Sequence, residues 1–207
     1  MPIPKIIHSA LMGGYKPSAL GERCIASWRR VLPDYKIVIW NDASIPRSDW
    51  AKAAISERPV NASHWTQWRS LLDHGGIFLD IDVEVVRPFD LEHQVFTGFQ
   101  RADSAECCVN NAVVGAVPGH PFVRRILNRI ESTEPGGWPL VTGPGILTDV
   151  LRENGLRGLN VEQQVGDVMV YDRDRFYPWF YTEPEIPRDQ LSERTFACHL
   201  WEGSWNK

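Results

Sequence analysis

At 207 residues, with 43% hydrophobic and 23% charged side chains, the chain has an ordinary globular make-up, which excludes disordered and collagen-like architectures. Lys and Arg total 22 against 26 Asp and Glu, a net charge of −4 with no long basic run. The sequence therefore predicts no nucleic-acid partner, because phosphate neutralisation needs clustered positive charge. No stretch approaches the roughly 18 apolar residues of a transmembrane segment, and Met1–Gly14 lacks the charged region and long apolar core of a signal peptide. Cys24, Cys107, Cys108 and Cys198 show neither metal-ligand spacing nor disulfide density, so the expected setting is reduced and cytoplasmic, compatible with peripheral contact with a membrane.

Ile3–His8 reads as a short buried strand, broken by Met12-Gly13-Gly14. Leu20, Cys24, Trp28 and Val31 recur at helical spacing, predicting a helix over Ser18–Val31 that Pro33-Asp34 ends. Lys36–Trp40 is a second compact strand, closed by Asn41-Asp42. A short helix over Ser48–Glu57 precedes Pro59. A longer one over Asn61–His74 carries Trp65, Trp68, Leu71 and Leu72 on one face and stops at Gly75-Gly76. Ile77–Ile81 is a strand that continues or turns into Val83–Val86. Further strands are predicted at Val95–Phe99, Ala112–Val117, Val168–Tyr171 and Thr195–His199. Helices are predicted from Pro121 to about Ile130, and from Thr142-Gly143-Pro144-Gly145 to about Arg152. With no repeat or linker, the expectation is one α/β domain over 1–207, with a Rossmann-like mixed central sheet flanked by helices.

The most informative segment is Gly75-Gly76-Ile77-Phe78-Leu79-Asp80-Ile81-Asp82-Val83-Glu84. Residues i and i+2 of an extended chain project to one face, so Asp80 and Asp82 aim together beyond the strand's carboxyl end, where open α/β sheets bind ligands. Crowded carboxylates repel unless a cation joins them, and a hard divalent ion accepts such oxygens and bridges to a diphosphate. On local physics alone the pair reads equally as a cation site or as the polar end of a strand. Asp172-Arg173-Asp174 repeats the spacing, but Arg173 and Arg175 stand ready to neutralise it, and it reads as a solvated turn.

In order along nearly the whole chain come Ile3-Pro4-Lys5-Ile6-Ile7-His8, Ser27-Trp28, Pro33-Asp34-Tyr35, Trp40-Asn41-Asp42 and the Gly75–Glu84 segment. Asn111, Gly119-His120-Pro121, Thr142-Gly143-Pro144-Gly145, Phe176-Tyr177-Pro178 and His199-Leu200-Trp201-Glu202-Gly203-Ser204-Trp205 follow. In these pieces the sequence resembles the family-32 glycosyltransferases, the DXD-containing enzymes that include capsular-polysaccharide transferases and fungal mannosyltransferases. The resemblance implies a GT-A fold, a UDP- or GDP-sugar donor, a Mn²⁺ or Mg²⁺ ion, and transfer with retention to a glycan, lipid-linked or protein acceptor. It implies metal contacts from Asp80, Asp82, His199 and Ser204. It implies donor contacts from Leu11, Asn41, His64, Gln67, Gly76, Phe78, Asp80, Ile81, Asn111, Trp201 and Trp205, and acceptor contacts from Gly143 and Pro144. A neutral His199 imidazole suits Mn²⁺. Each Trp reads equally as core packing, Asn41 equally as an Asx turn, and Asn111 as a turn former.

Three positions depart from the family pattern. Leu11 stands where the family carries a base-stacking Trp. His64 and Gln67 stand where it carries an Asp and an Arg that grip the donor sugar. Losing that charge-assisted pair implies either a different sugar or a nucleotide-sugar-binding protein with weak or no turnover. A metal-dependent nucleotidyltransferase or phosphoesterase also uses paired Asp, but it needs a basic phosphate clamp that is not evident here.

Overall fold

The computed structural model describes residues 1–89, 92–106 and 108–203. In chain order the elements are β1 (Ile6–Ala10), α1 (Ala19–Val31), β2 (Lys36–Trp40), α2 (Asp49–Glu57), α3 (Pro59–His74), β3 (Gly76–Leu79) and β4 (Val83–Val85). They continue with β5 (Val95–Phe99), β6 (Val109–Ala116), α4 (Pro121–Glu131), α5 (Pro144–Glu153), β7 (Gln163–Val165), β8 (Val168–Tyr171) and β9 (Ala197–His199). Seven strands form one mixed sheet in the order β2-β1-β3-β6-β5-β8-β7, and β4 pairs with β9 in a separate two-stranded ribbon. This is the α/β, GT-A-like mixed sheet flanked by helices that the sequence predicts.

Helices α3, α4 and α5 cover one face of the sheet, burying Trp65, Trp68, Phe122, Ile126 and Leu147 against Phe78 and Val114. The other face packs Trp28 and Ile25 of α1 with Ile77, Leu79 and the aromatic group Phe96, Phe176 and Tyr177. Several predicted boundaries move. β1 starts at Ile6, not Ile3, because Pro2 and Pro4 have no N–H for a ladder. β6 starts at Val109, since the polar Asn110 and Asn111 find buried partners and continue the strand. β7 was not predicted, although Gly166-Asp167 (Gly166 φ +60) is a two-residue hairpin signal that pairs it antiparallel to β8.

His8 lies in the middle of β1, 1% exposed, between two fixed partners. Nε2–H donates to the Gly75 carbonyl at 2.9 Å and Nδ1 accepts from the Trp40 indole at 3.1 Å, which selects the neutral ring. Burial pushes this imidazole down to about 4, against the pull of the Gly75 carbonyl. An unfolded histidine titrates near 6.5, so the stability His8 contributes is complete above that pH and is lost as pH falls towards about 4. His8→Gln keeps a donor for Gly75 but does not titrate. Its stability deficit against the native protein, read by urea unfolding, should shrink by up to about 3 kcal/mol between about pH 7.5 and about pH 4.

Candidate active site

Because β1, β2 and β3 are parallel, their carboxyl ends share one edge of the sheet, and antiparallel β6 begins there. α3 enters β3 through Gly75 alone, so it runs back across the sheet and its first turns lie at the same edge. The segments after Ala10, Trp40 and Leu79, the start of β6 and the His64–Gln67 stretch therefore meet along one rim.

Asp80 and Asp82 converge by a mechanism other than the predicted extended strand. β3 stops at Leu79, and the Val83 N–H bonds to the Asp80 carbonyl at 3.0 Å, closing a turn over Asp80–Val83. The Asp80 N–H still reaches the Ala112 carbonyl at 2.9 Å, anchoring the turn to β6. Leaving the turn, β4 pairs with β9 so that Val83 faces His199. One carboxylate oxygen of each Asp and one ring nitrogen of His199 then lie within 4.8 Å of one another. Opposite ligands of a divalent ion stand roughly 4 to 5 Å apart, so this donor set fits one.

The electrostatics of the cluster suit a cation. Burial and the neighbouring Asp82 raise Asp80, with His199 opposing. Burial also works to raise Asp82, yet His199 at 3.2 Å and the Glu202 N–H at 2.8 Å hold its carboxyl low. Burial would lower His199, but Asp82 and then Asp80 raise it. Its buried Nδ1 has no hydrogen-bond partner among the described residues. Two acids at such close quarters, with an under-bonded imidazole beside them, are relieved by a divalent charge.

The remaining metal and donor candidates are distributed as follows. Ser204 and Trp205 lie outside the described residues. Trp201 is half-buried, its indole N–H on the Trp179 carbonyl at 3.0 Å and its ring 4.1 Å from that of His199. Ile81 is half-buried beside Gly21 of α1. Gly76 and Phe78 are core positions: a Cβ on Gly76 would stand 2.6 Å from the Ile6 carbonyl, and Phe78 is 2% exposed. Leu11 is half-buried, its N–H on the Trp40 carbonyl. The Asn41 side-chain oxygen accepts from the Ala43 and Ser44 N–H groups, forming the Asx turn.

Gln67 and Asn111 are buried against each other. The Gln67 amide donates to the Asn111 carbonyl at 2.6 Å and accepts from the Asn111 amide at 2.8 Å. His64 Nδ1 bonds the Thr142 hydroxyl at 2.9 Å, and that hydroxyl donates to Asn61. Burial lowers His64 to about 4, so the ring is neutral. Through Asn61, whose amide also holds the Pro135 and Gly137 carbonyls, this network straps the segment ending at Gly143-Pro144 onto α3. Gly143 and Pro144 begin α5, and a Cβ on Gly143 would meet the His64 ring at 2.7 Å.

Glu84, on the same strand face as Asp82 by simple alternation, instead turns to Arg188, with bonds of 2.9 and 2.7 Å. Asp172 is neutralised by Arg194 at 2.8 Å, while Arg173 and Arg175 pair with Glu183 and Glu162. Sequence reasoning gives no role to Tyr177, whose ring edge faces His199 and whose hydroxyl accepts the Val113 N–H at 2.9 Å. Nor does it foresee the contacts of Asp42, whose two oxygens accept the N–H groups of Gly13 and Gly14 at 2.8 and 2.9 Å. Both act across long sequence separations that no local pattern encodes.

Comparison with known proteins agrees with this geometry. Residues 19–97 match the family model described as the glycosyltransferase sugar-binding region containing the DXD motif. Inositol phosphoceramide mannosyltransferase 3 of Schizosaccharomyces pombe is 29% identical over 139 residues, 62% of this chain and 37% of that protein. The chain thus covers little more than a third of this relative's length. Among solved structures, PaToxG glycosyltransferase superposes with a TM-score of 0.60 at 20% identity, covering 73% of this chain and 70% of that one. A glycosyltransferase involved in glycosylating the major capsid of PBCV-1 gives 0.52 at 12% identity, covering 95% and 93%. Both share the fold. Motif, fold and matched region agree: over residues 19–97 the chain is similar to the glycosyltransferase sugar-binding regions that contain the DXD motif.

Proposed function

We propose that the chain is a metal-dependent glycosyltransferase that moves a sugar from a nucleoside-diphosphate sugar to a glycan, lipid-linked or protein acceptor with retention at the anomeric carbon. The observation that carries this is the Asp80–Asp82–His199 cluster at the carboxyl edge of the parallel strands. Asp80, Asp82 and His199 would hold Mn²⁺ or Mg²⁺, and the ion when bound would neutralise charge building on the departing diphosphate. The chain's own residues do the rest. The Asp80–Val83 turn presents both carboxylates, the β4–β9 ribbon delivers His199, and Trp201 covers that imidazole. Among the described residues no buried side chain stands out as a nucleophile. The Cys24 thiol is pushed up to about 12 by burial and by Asp82 and Glu84, so it is not a ready thiolate.

The similarity to a protein named inositol phosphoceramide mannosyltransferase 3 supports the lipid-linked member of that acceptor set. Among the described residues no helix is long and apolar enough to cross a membrane.

A second reading, a nucleotide-sugar-binding protein without turnover, draws on the closed Gln67–Asn111 pair and the His64–Thr142 bond. Both positions that would grip the donor sugar are engaged internally. A melting-temperature panel of UDP-, GDP- and CDP-sugars with and without Mn²⁺ tests both readings. A donor present at about 100 times its Kd should raise stability by about 2.7 kcal/mol, and only when Mn²⁺ is present. Turnover above a no-enzyme blank selects transfer over mere binding, and a flat panel rejects both.

A further inference from the structure

Residues 200–202 are tied down from two sides, by Ser18 and by Asp82. Ser18 caps α1: its backbone is extended, and its hydroxyl accepts the Gly21 N–H at 3.1 Å. The same hydroxyl donates to Glu202 Oε2 at 2.9 Å. The Glu202 carboxylate therefore sits at the end of α1 where free N–H groups and the helix dipole favour negative charge. From the other side, the Glu202 N–H donates to Asp82 Oδ2 at 2.8 Å, and the Leu200 N–H donates to the Asp82 carbonyl at 3.0 Å.

Between these anchors Trp201 adopts φ +56, a left-handed conformation that a bulky residue keeps only when its neighbours are held. The consequence for Asp82 is specific. With Oδ2 occupied by the Glu202 N–H, Oδ1 is the oxygen left facing His199, at 3.2 Å.

We infer that Glu202 is a positioning residue: by bridging Ser18 and Asp82 it latches residues 200–202 over the acid pair and selects which Asp82 oxygen is offered to a cation. The latch is built only from contacts between the chain's own residues. Only its effect on metal and donor affinity rests on the metal-site reading.

Hydrogen exchange at the Leu200 and Glu202 amides, measured without metal, reads the latch directly. Glu202→Ala should speed exchange at Leu200 and at residue 202 roughly tenfold, whereas Glu202→Gln, which keeps an acceptor for Ser18, should stay within about threefold of the native rate. Adding Ser18→Ala to Glu202→Ala should change exchange no further than Ser18→Ala costs α1 alone, because the two groups share one bond. Titration of Mn²⁺ by electron paramagnetic resonance should show affinity weakened roughly tenfold in Glu202→Ala and largely restored in Glu202→Gln. At subsaturating Mn²⁺ the apparent donor KM should rise in Glu202→Ala and recover as Mn²⁺ is raised. Native exchange at Leu200 and native Mn²⁺ affinity in Glu202→Ala would overturn the proposal. A native protein that binds no Mn²⁺ sinks the metal reading, and exchange alone then decides the latch.

Discussion

Asp82→Ala is expected to lower sugar transfer by at least about a hundredfold and to remove Mn²⁺ binding, because it deletes the carboxylate around which the site is organised. Three groups converge on Asp82: His199 at 3.2 Å and the Glu202 N–H on its side chain, and the Leu200 N–H on its carbonyl. Truncation leaves the first two unpaired, so about 1 to 3 kcal/mol of stability should go with the activity. Asp82→Asn separates the two effects. Its amide oxygen still accepts the Glu202 N–H, so folding should be near native by urea unfolding while Mn²⁺ binding and transfer stay lost. Undiminished transfer by Asp82→Ala in metal-stripped buffer would refute the proposed function.

The largest effect on folding is expected at Gly76. Its φ of +109 is a conformation that side chains rarely adopt, and a Cβ there would lie 2.6 Å from the Ile6 carbonyl, on the backbone of β1. The obstacle is main chain and cannot rotate aside, so Gly76→Ala must push β3 away from β1, where Ile7 pairs with Ile77. Strain and displacement together should cost about 3 kcal/mol or more, read as a shift of the urea midpoint. Gly14 provides the control. It has φ +72 but nothing within 4 Å, so Gly14→Ala should cost only about 1 kcal/mol. Equal losses at both positions would mean that conformation alone, not contact with β1, governs Gly76.

Much of the framework was legible because its signals are local. The apolar runs Lys36–Trp40 and Val95–Phe99 are strands as predicted, and α3 ends at His74 because Gly75 takes φ +63. The acid pair was legible as a pair, but for an incomplete reason. Alternation along a strand does not know that the chain turns at Asp80, and the turn is stabilised by a ribbon whose other strand lies more than a hundred residues away. The same limit applies to Gln67. The resemblance implies a donor contact there, while its actual partner, Asn111, is set by how α3 crosses the start of β6. Glu84, two residues beyond Asp82, pairs instead with Arg188 from a distant part of the chain.

The β4–β9 ribbon has a consequence for the order of assembly. The Asp80 backbone is anchored by contacts made within the first 112 residues, but His199 and the amides that hold Asp82 arrive only when β9 docks. Ligands this far apart along the polymer close a very long loop, which makes the pairing one of the slowest and most entropically demanding steps of folding. A nascent chain still emerging from the ribosome would therefore hold two acids and no imidazole, and its affinity for a divalent ion would mature only once synthesis has passed residue 199.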